Sequence, residues 1–375
     1  MSEQSLSKSL QHPHFSSVVV WASGSVLCAY DVEDRKFLFQ TAHLHKGAIL
    51  SVSCLKSDKK SSADSSDSGE SAYPSTVWVT CGEDKRVVIS KESRNFQVTT
   101  VTPILTYLHR KKPTGAFLDN NGGLFVCDMF GEGCRVELGS LERLLHESED
   151  DSIEQPGAIE ISSTPYVLFG CFSVISCATQ YENLLITGDR DEKIRICKFP
   201  QVQDIVSFCL GHRSYVSEIS IIRGSMLAST GGDGYLRIWN IESGQELAKY
   251  KVAESLIPCM TVYREFVFVG IEGSGEIKKF SVDELGQIIP CDSIQMNSVP
   301  QSVAVVGDGR FLVSVSDQGD LEISDISIPE KEHKIVHGPT DCGKQARIML
   351  WKFAGKDDDE DPEDQSPSSK QRRYE

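Results

Sequence analysis

The sequence predicts an all-β fold, a seven-bladed β-propeller with a disordered loop and an acidic C-terminal tail. Three observations predict it. One hairpin unit recurs seven times along 375 residues. Its turns follow one another at intervals of about 40 to 60 residues, the period of a blade array rather than of a helical bundle. Long amphipathic helices are missing from the pattern, the best helical fragment being the short Leu141–His146.

In chain order, the first copy is the degenerate run from Val18 to Asp31, two apolar β-rich stretches around Ser23-Gly24-Ser25. Gly82-Glu83-Asp84-Lys85 leads into Arg86-Val87-Val88-Ile89 as the second, and Asp128-Met129-Phe130-Gly131-Glu132-Gly133 with Arg135-Val136 is the third. A fourth reads Gly188-Asp189-Arg190-Asp191-Glu192-Lys193-Ile194-Arg195-Ile196. The fifth is nearly intact: Leu210-Gly211-His212, an apolar run, then Ser229-Thr230-Gly231-Gly232-Asp233-Gly234-Tyr235-Leu236-Arg237-Ile238-Trp239-Asn240. Gly273-Ser274-Gly275 before Glu276–Phe280, and Asp317-Gln318-Gly319-Asp320 before Leu321-Glu322-Ile323, complete the series. Six or eight blades stay open because some copies are worn. The apolar terminal runs Phe15–Trp21 and Ala346–Phe353 are the candidates for closing the ring, which would remove free strand edges.

The Gly-His, Gly-Asp-Gly and Trp-Asn elements of the fifth copy resemble a WD repeat. That resemblance implies a buried hydrogen-bonded chain of His212, Asp233, Ser229 or Thr230, and Trp239, rigidifying when complete and costly when half made. Taken alone, His212 and Asp233 would also suggest a catalytic pair; inside a WD pattern both are structural.

Composition narrows the function. No apolar run approaches the ~18 residues of a membrane span, and Met1–Gln11 lacks the apolar core of a signal peptide, so an intracellular protein is expected. The formal charge is −16, and the tail from Lys356 to Glu375, with eight acids and four bases, contributes −4 of it. An acidic chain is a poor sole binder of nucleic acid, whose affinity comes mostly from phosphate contacts. Twelve cysteines are scattered without a Cys-x-x-Cys. Most, such as Cys28, Cys54, Cys81, Cys197 and Cys209, sit in strand-like runs and read as buried reduced thiols. His43-x-His45 and His333-x-x-x-His337 lack further ligands at recognisable spacing, so neither metal nor cofactor is expected. The Gly-rich stretches lie between strands rather than between a strand and a helix, and no nucleotide, Walker or Gly-x-Ser-x-Gly pattern occurs.

The propeller is expected over 13–355, after a flexible N-terminus, 1–12, with a disordered insert at about 56–75 and a disordered acidic tail, 356–375, ending in Lys370-Gln371-Arg372-Arg373. His109-Arg110-Lys111-Lys112-Pro113 is the densest basic run before the tail and reads as a solvated loop ahead of an RNA patch.

The fourth copy departs from the rest. Six of the seven residues from Asp189 to Arg195 are charged, Ile194 being the exception. A hairpin needs no such density; charge alone is compatible with a solvated turn or with a rim that steers a partner. Ile186–Arg195, then Ser207-Phe208-Cys209-Leu210-Gly211-His212 and Val216-Ser217, with Arg135–Leu141 upstream, are similar to the WD-repeat non-catalytic subunit of eukaryotic tRNA (guanine-N7-)-methyltransferase. The similarity covers about residues 135–240. It implies a non-catalytic scaffold without cofactor that forms a heterodimer with a Rossmann-like catalytic subunit, needed for 7-methylguanosine in the tRNA variable loop and touching tRNA indirectly or through minor contacts. It implies a nuclear location, with the cytoplasm second. By position, Lys193 and Arg195 are the leading partner contacts, and Arg190, Asp191 and Glu192 stand behind them. The long serine-rich insert, the insert after Leu141 and the acidic tail depart from that family. A general WD adaptor, such as a ubiquitin ligase substrate receptor, and a propeller enzyme with a central-channel site are the competing classes.

Overall fold

The computed structural model describes residues 4–5, 9–11, 15–41, 44–56, 76–94, 99–119, 122–138, 159–161, 165–170, 173–316, 318–327 and 333–337. Every regular element among them is a strand, and the strands form seven sheets, antiparallel apart from one pairing. Blade 1 spans 9–40, blade 2 49–108, blade 3 113–170, blade 4 175–210, blade 5 216–251, blade 6 259–295 and blade 7 302–336. Each holds four strands in chain order, from innermost to outermost. The extra partners are Gln4–Ser5 on the innermost strand of blade 4 and Ile159–Ile161, parallel to the outermost strand of blade 2.

The strands are short apolar runs whose central members are buried on both faces, as in Val18–Ser23 and Thr76–Gly82. Two-sided burial follows from the architecture, since a sheet standing between two others needs apolar side chains toward both. Each neighbouring pair of blades accordingly shares one apolar cluster, and there are seven such clusters among the described residues.

Ring closure uses packing between complete sheets among the described residues. Blades 7 and 1 share Trp21, Tyr30, Val306 and Leu321, the Trp21 indole N–H donates to the Gly319 carbonyl at 3.1 Å, and Lys334 Nζ donates to the Tyr30 hydroxyl at 3.1 Å. Val18–Ser23 is the second strand of blade 1, so the run Phe15–Trp21 enters a blade built wholly from its own neighbourhood. Part of the stretch expected to be flexible, 1–12, is paired instead: Ser9–Gln11 lies against Trp21–Val19, because the inner edge of Val18–Ser23 would otherwise be bare. The insert at 57–75, the fragment Leu141–His146, the run Ala346–Phe353 and the tail 356–375 lie outside the described residues.

Connections between blades and the turns between second and third strands meet at one end of the ring. The Lys46 amide donates to Asp84, Lys112 Nζ to Glu83, and the Gly232 amide to the Tyr215 carbonyl. This end carries the site.

Candidate protein-docking site

In blade 5 the polar chain implied by the WD resemblance is complete. The Trp239 indole N–H donates to Ser229 Oγ at 2.7 Å, and the Ser229 hydroxyl lies 2.7 Å from His212 Nε2. His212 Nδ1 faces Asp233 Oδ1 at 3.0 Å. The donors then run in one direction, from indole to hydroxyl to imidazole to carboxylate, each proton used once. Ser229 fills the place left open between Ser229 and Thr230; the Thr230 hydroxyl pairs with Ser217 at 3.2 Å. Asp233 also accepts from the Arg213 and Tyr235 amides. Burial pushes its carboxyl up, but His212 and these amides outweigh burial and hold it down at about 2. The pair is inside a wall and serves structure.

Two further histidines do the same work and escaped the sequence reading. His45 bridges Asp84 and Thr80 at 2.9 Å each, and His109 Nε2 meets Asp128 at 3.2 Å. The available signal was spacing: His45 and Asp84 are 39 residues apart because of the insert, whereas His109 and Asp128 are 19 apart, close to the 21 of His212 and Asp233. His109 therefore leaves the basic run and turns inward. Lys112 pairs with Glu83, Lys111 approaches Glu132 at 3.7 Å, and Arg110 is exposed. Cys134 Sγ sits 4.0 Å from His109 Nδ1, a formal Cys-His-Asp row. Burial and the Asp128 charge push that thiol up to about 12, so it is no nucleophile. Of the cysteines read as buried, Cys28, Cys81, Cys197 and Cys209 are so, and Cys54 is half-buried.

Blade 4 shows what happens when the chain is missing. Gly188 pairs with Ile194 as Thr230 pairs with Leu236, so Asp191, Glu192, Lys193, Arg195 and Cys197 occupy the places of Asp233, Gly234, Tyr235, Arg237 and Trp239. No indole stands at Cys197, and the sequence has no histidine from 147 to 175, on the approach to the blade. Asp191 is left at the surface, and Arg190, Glu192 and Lys193 are exposed with it. Glu192 takes φ 73°, the left-handed turn that Gly234 takes at 69°. One internal clamp sets the turn: Asp189 Oδ1 accepts the Lys193 amide at 3.0 Å. Burial and the neighbouring Asp191 raise the Asp189 carboxyl above its usual range.

Lys193 and Arg195, paired as leading contacts, have different surroundings. Lys193 stands out at the rim. Arg195 is half-buried; one guanidinium nitrogen donates to the Val202 carbonyl at 2.9 Å, and the group lies 5.2 Å over the Phe169 ring of blade 3. It braces the hairpin between two blades. The site is thus an exposed prong of mixed charge on a fixed base, suited to docking another protein. Among the described residues no three His, Cys, Asp or Glu side chains gather as a metal cage would require.

Comparison with known proteins points the same way. The tRNA methyltransferase TRM82 WD40 domain matches residues 171–334, which contain the prong and blade 5. The tRNA (guanine-N(7)-)-methyltransferase non-catalytic subunit trm82 of Aspergillus oryzae is 30% identical over 203 residues, covering 48% of this chain and 41% of that protein. The non-catalytic subunit wuho of Drosophila willistoni is 30% identical over 185 residues, 49% of this chain and 42% of the relative, and that of Anopheles gambiae 37% over 102 residues, 26% and 27%. The matched part is less than half the length of these relatives. In fold, the chain resembles the WD40 propeller of Doa1 (TM-score 0.52, 13% identity, 70% of this chain and 79% of that one) and a chain of the mitotic checkpoint complex (0.59, 13%, 85% and 90%). At that identity the likeness concerns fold alone. Residues 171–334 of this chain are thus similar to the WD40 domain of the tRNA methyltransferase TRM82.

Proposed function

We propose that this chain is the non-catalytic subunit of a tRNA N7-guanosine methyltransferase, forming a heterodimer with the catalytic subunit and holding it in a pose competent for the tRNA variable loop. One observation carries the reading. The family match begins with the blade whose inner polar chain is absent and whose turn charges face solvent. A rim of alternating charge steers a partner and fixes its register. Lys193 supplies the cation at the tip, Arg190, Asp191 and Glu192 frame it, and Arg195 holds the base. With a net charge of −16, the chain is suited to minor tRNA contacts at most. On this reading it works in the nucleus, with the cytoplasm as second compartment.

Co-expression with the methyltransferase subunit from the same cell tests the reading. A stoichiometric complex on gel filtration and loss of 7-methylguanosine from tRNA in cells lacking this chain are expected. Full methylation in such cells, or no complex with the native chain, would overturn it.

A further inference from the structure

The outer wall of the ring differs from blade to blade. Outermost strands are free sheet edges, and proteins protect such edges with charge, proline or a covering segment. Blade 1 has Lys36 there, blade 5 Glu246, Lys249 and Lys251, blade 6 Pro290 and Asp292, and blade 7 Lys334. Blade 2 has Pro103 and is covered by Ile159–Ile161. Blades 3 and 4, which are neighbours, have neither charge nor proline in Tyr166–Gly170 and Ile205–Leu210. Their large apolar side chains stand in water: Tyr166 is 72% exposed, Leu210 64%, Ile205 46% and Phe208 42%.

The strip is continuous with the prong. Leu210 is the register partner of Lys193, and Phe208 that of Arg195. Arg195 in turn lies over Phe169, in the outermost strand of blade 3. A row of uncovered apolar side chains thus descends the wall from the charged tip.

We infer that this wall is the apolar half of the docking site, and that its occupant is the methyltransferase partner, through an apolar surface bordered by carboxylates that meet Lys193. The inference rests on the function proposed above. It assigns affinity to Phe208 and Leu210 and orientation to the prong, since apolar anchors at the centre of an interface dominate binding and rim charges set register.

Calorimetric titration of the full chain with the purified methyltransferase subunit tests this, at low and high salt. The doubly substituted F208S/L210S chain should bind about thirtyfold more weakly. That loss should persist at high salt, whereas the loss from K193E should shrink there as charges are screened. Blade 6 provides the control, L285S, at a residue 76% exposed and outside blades 3 and 4. Hydrogen exchange on the unmodified complex gives a second measure independent of any variant, with slowed exchange expected across 205–210. Native affinity in F208S/L210S, or unchanged exchange in a complex that K193E still weakens, would overturn the apolar wall and leave the proposed function standing. Concentration-dependent dimerisation of the free chain, abolished by F208S/L210S, would also overturn it by giving the wall to a second copy. No binding by the native chain would instead sink the function itself.

Discussion

Blades 4 and 5 stand side by side with the same strand register and opposite treatment of polar groups. Blade 5 turns its turn aspartate inward to His212 and ends the relay on Trp239; blade 4 has neither ring and turns Asp191 outward. The arginine at the matched place is buried in blade 5, on Asp233 and Glu246, and in blade 4 is spent on Val202 and the Phe169 ring. Even the shared left-handed turn differs. A Cβ at Gly234 would come within 2.2 Å of the Ala253 carbonyl, while the same conformation at Glu192 carries a full side chain into solvent. The lesson is that the turn charges stand at the surface in the blade that lacks an internal relay.

The contrast can be broken at matched positions. Trp239→Ala should cost about 3–5 kcal/mol through a cavity and the lost indole hydrogen bond to Ser229; Cys197→Ala, its counterpart, should cost about 1 kcal/mol. Guanidinium denaturation midpoints check both, and equal costs would erase the distinction. Lys193→Glu should weaken the partner complex by about 1 kcal/mol at low salt while leaving the melting temperature unchanged. Lys249→Glu, on the outer edge of blade 5, should change neither affinity nor melting temperature; paired titrations and melting curves decide.

Acid sharpens the comparison further, because the two aspartates shift in opposite directions. Asp233 is held at about 2, below the 3.8 of an unstrained carboxyl, so the unfolded chain takes its proton first. Its contribution, about 2 kcal/mol, is present above pH 4 and drains away between pH 4 and 2. Asp189 is raised, so its folded form takes the proton first and acidification favours the fold there. Denaturant titrations of Asp233→Asn across that range should show a flattened acid decline; a slope equal to the native one would refute the relay's electrostatics. The smallest effect belongs to Glu192→Gly, which relieves a left-handed residue and should stabilise by about 0.5 kcal/mol, against a loss of about 2 kcal/mol for Gly234→Ala. Thermal melts read both.

Much of this was legible in the chain. The seven turns marked seven blades because a hairpin needs a few residues of special backbone freedom, and such residues stand out. The relay of blade 5 was legible through resemblance, since the Gly-His, Gly-Asp-Gly and Trp-Asn elements match a WD repeat and so implied roles for His212, Asp233 and Trp239. Burial was less legible. Nothing in Asp189–Arg195 distinguishes Arg195, braced by a carbonyl from the following loop and a ring from the preceding blade, from Lys193, which stands clear. The apolar wall was hidden as well. Ile205-Val206-Ser207-Phe208-Cys209-Leu210 reads as an ordinary strand, and only the sheet order reveals that it has a neighbour on one side alone.

Each apolar cluster among the described residues belongs to two blades at once. A blade therefore has no private interior with which to survive its neighbour's loss. Deleting one would strip both flanking walls, and a chain halted partway through synthesis would hold only sticky, half-dressed sheets. Melting should accordingly be a single concerted event around the circle, and damage far from the prong would be felt at its tip as soon as the circle opens.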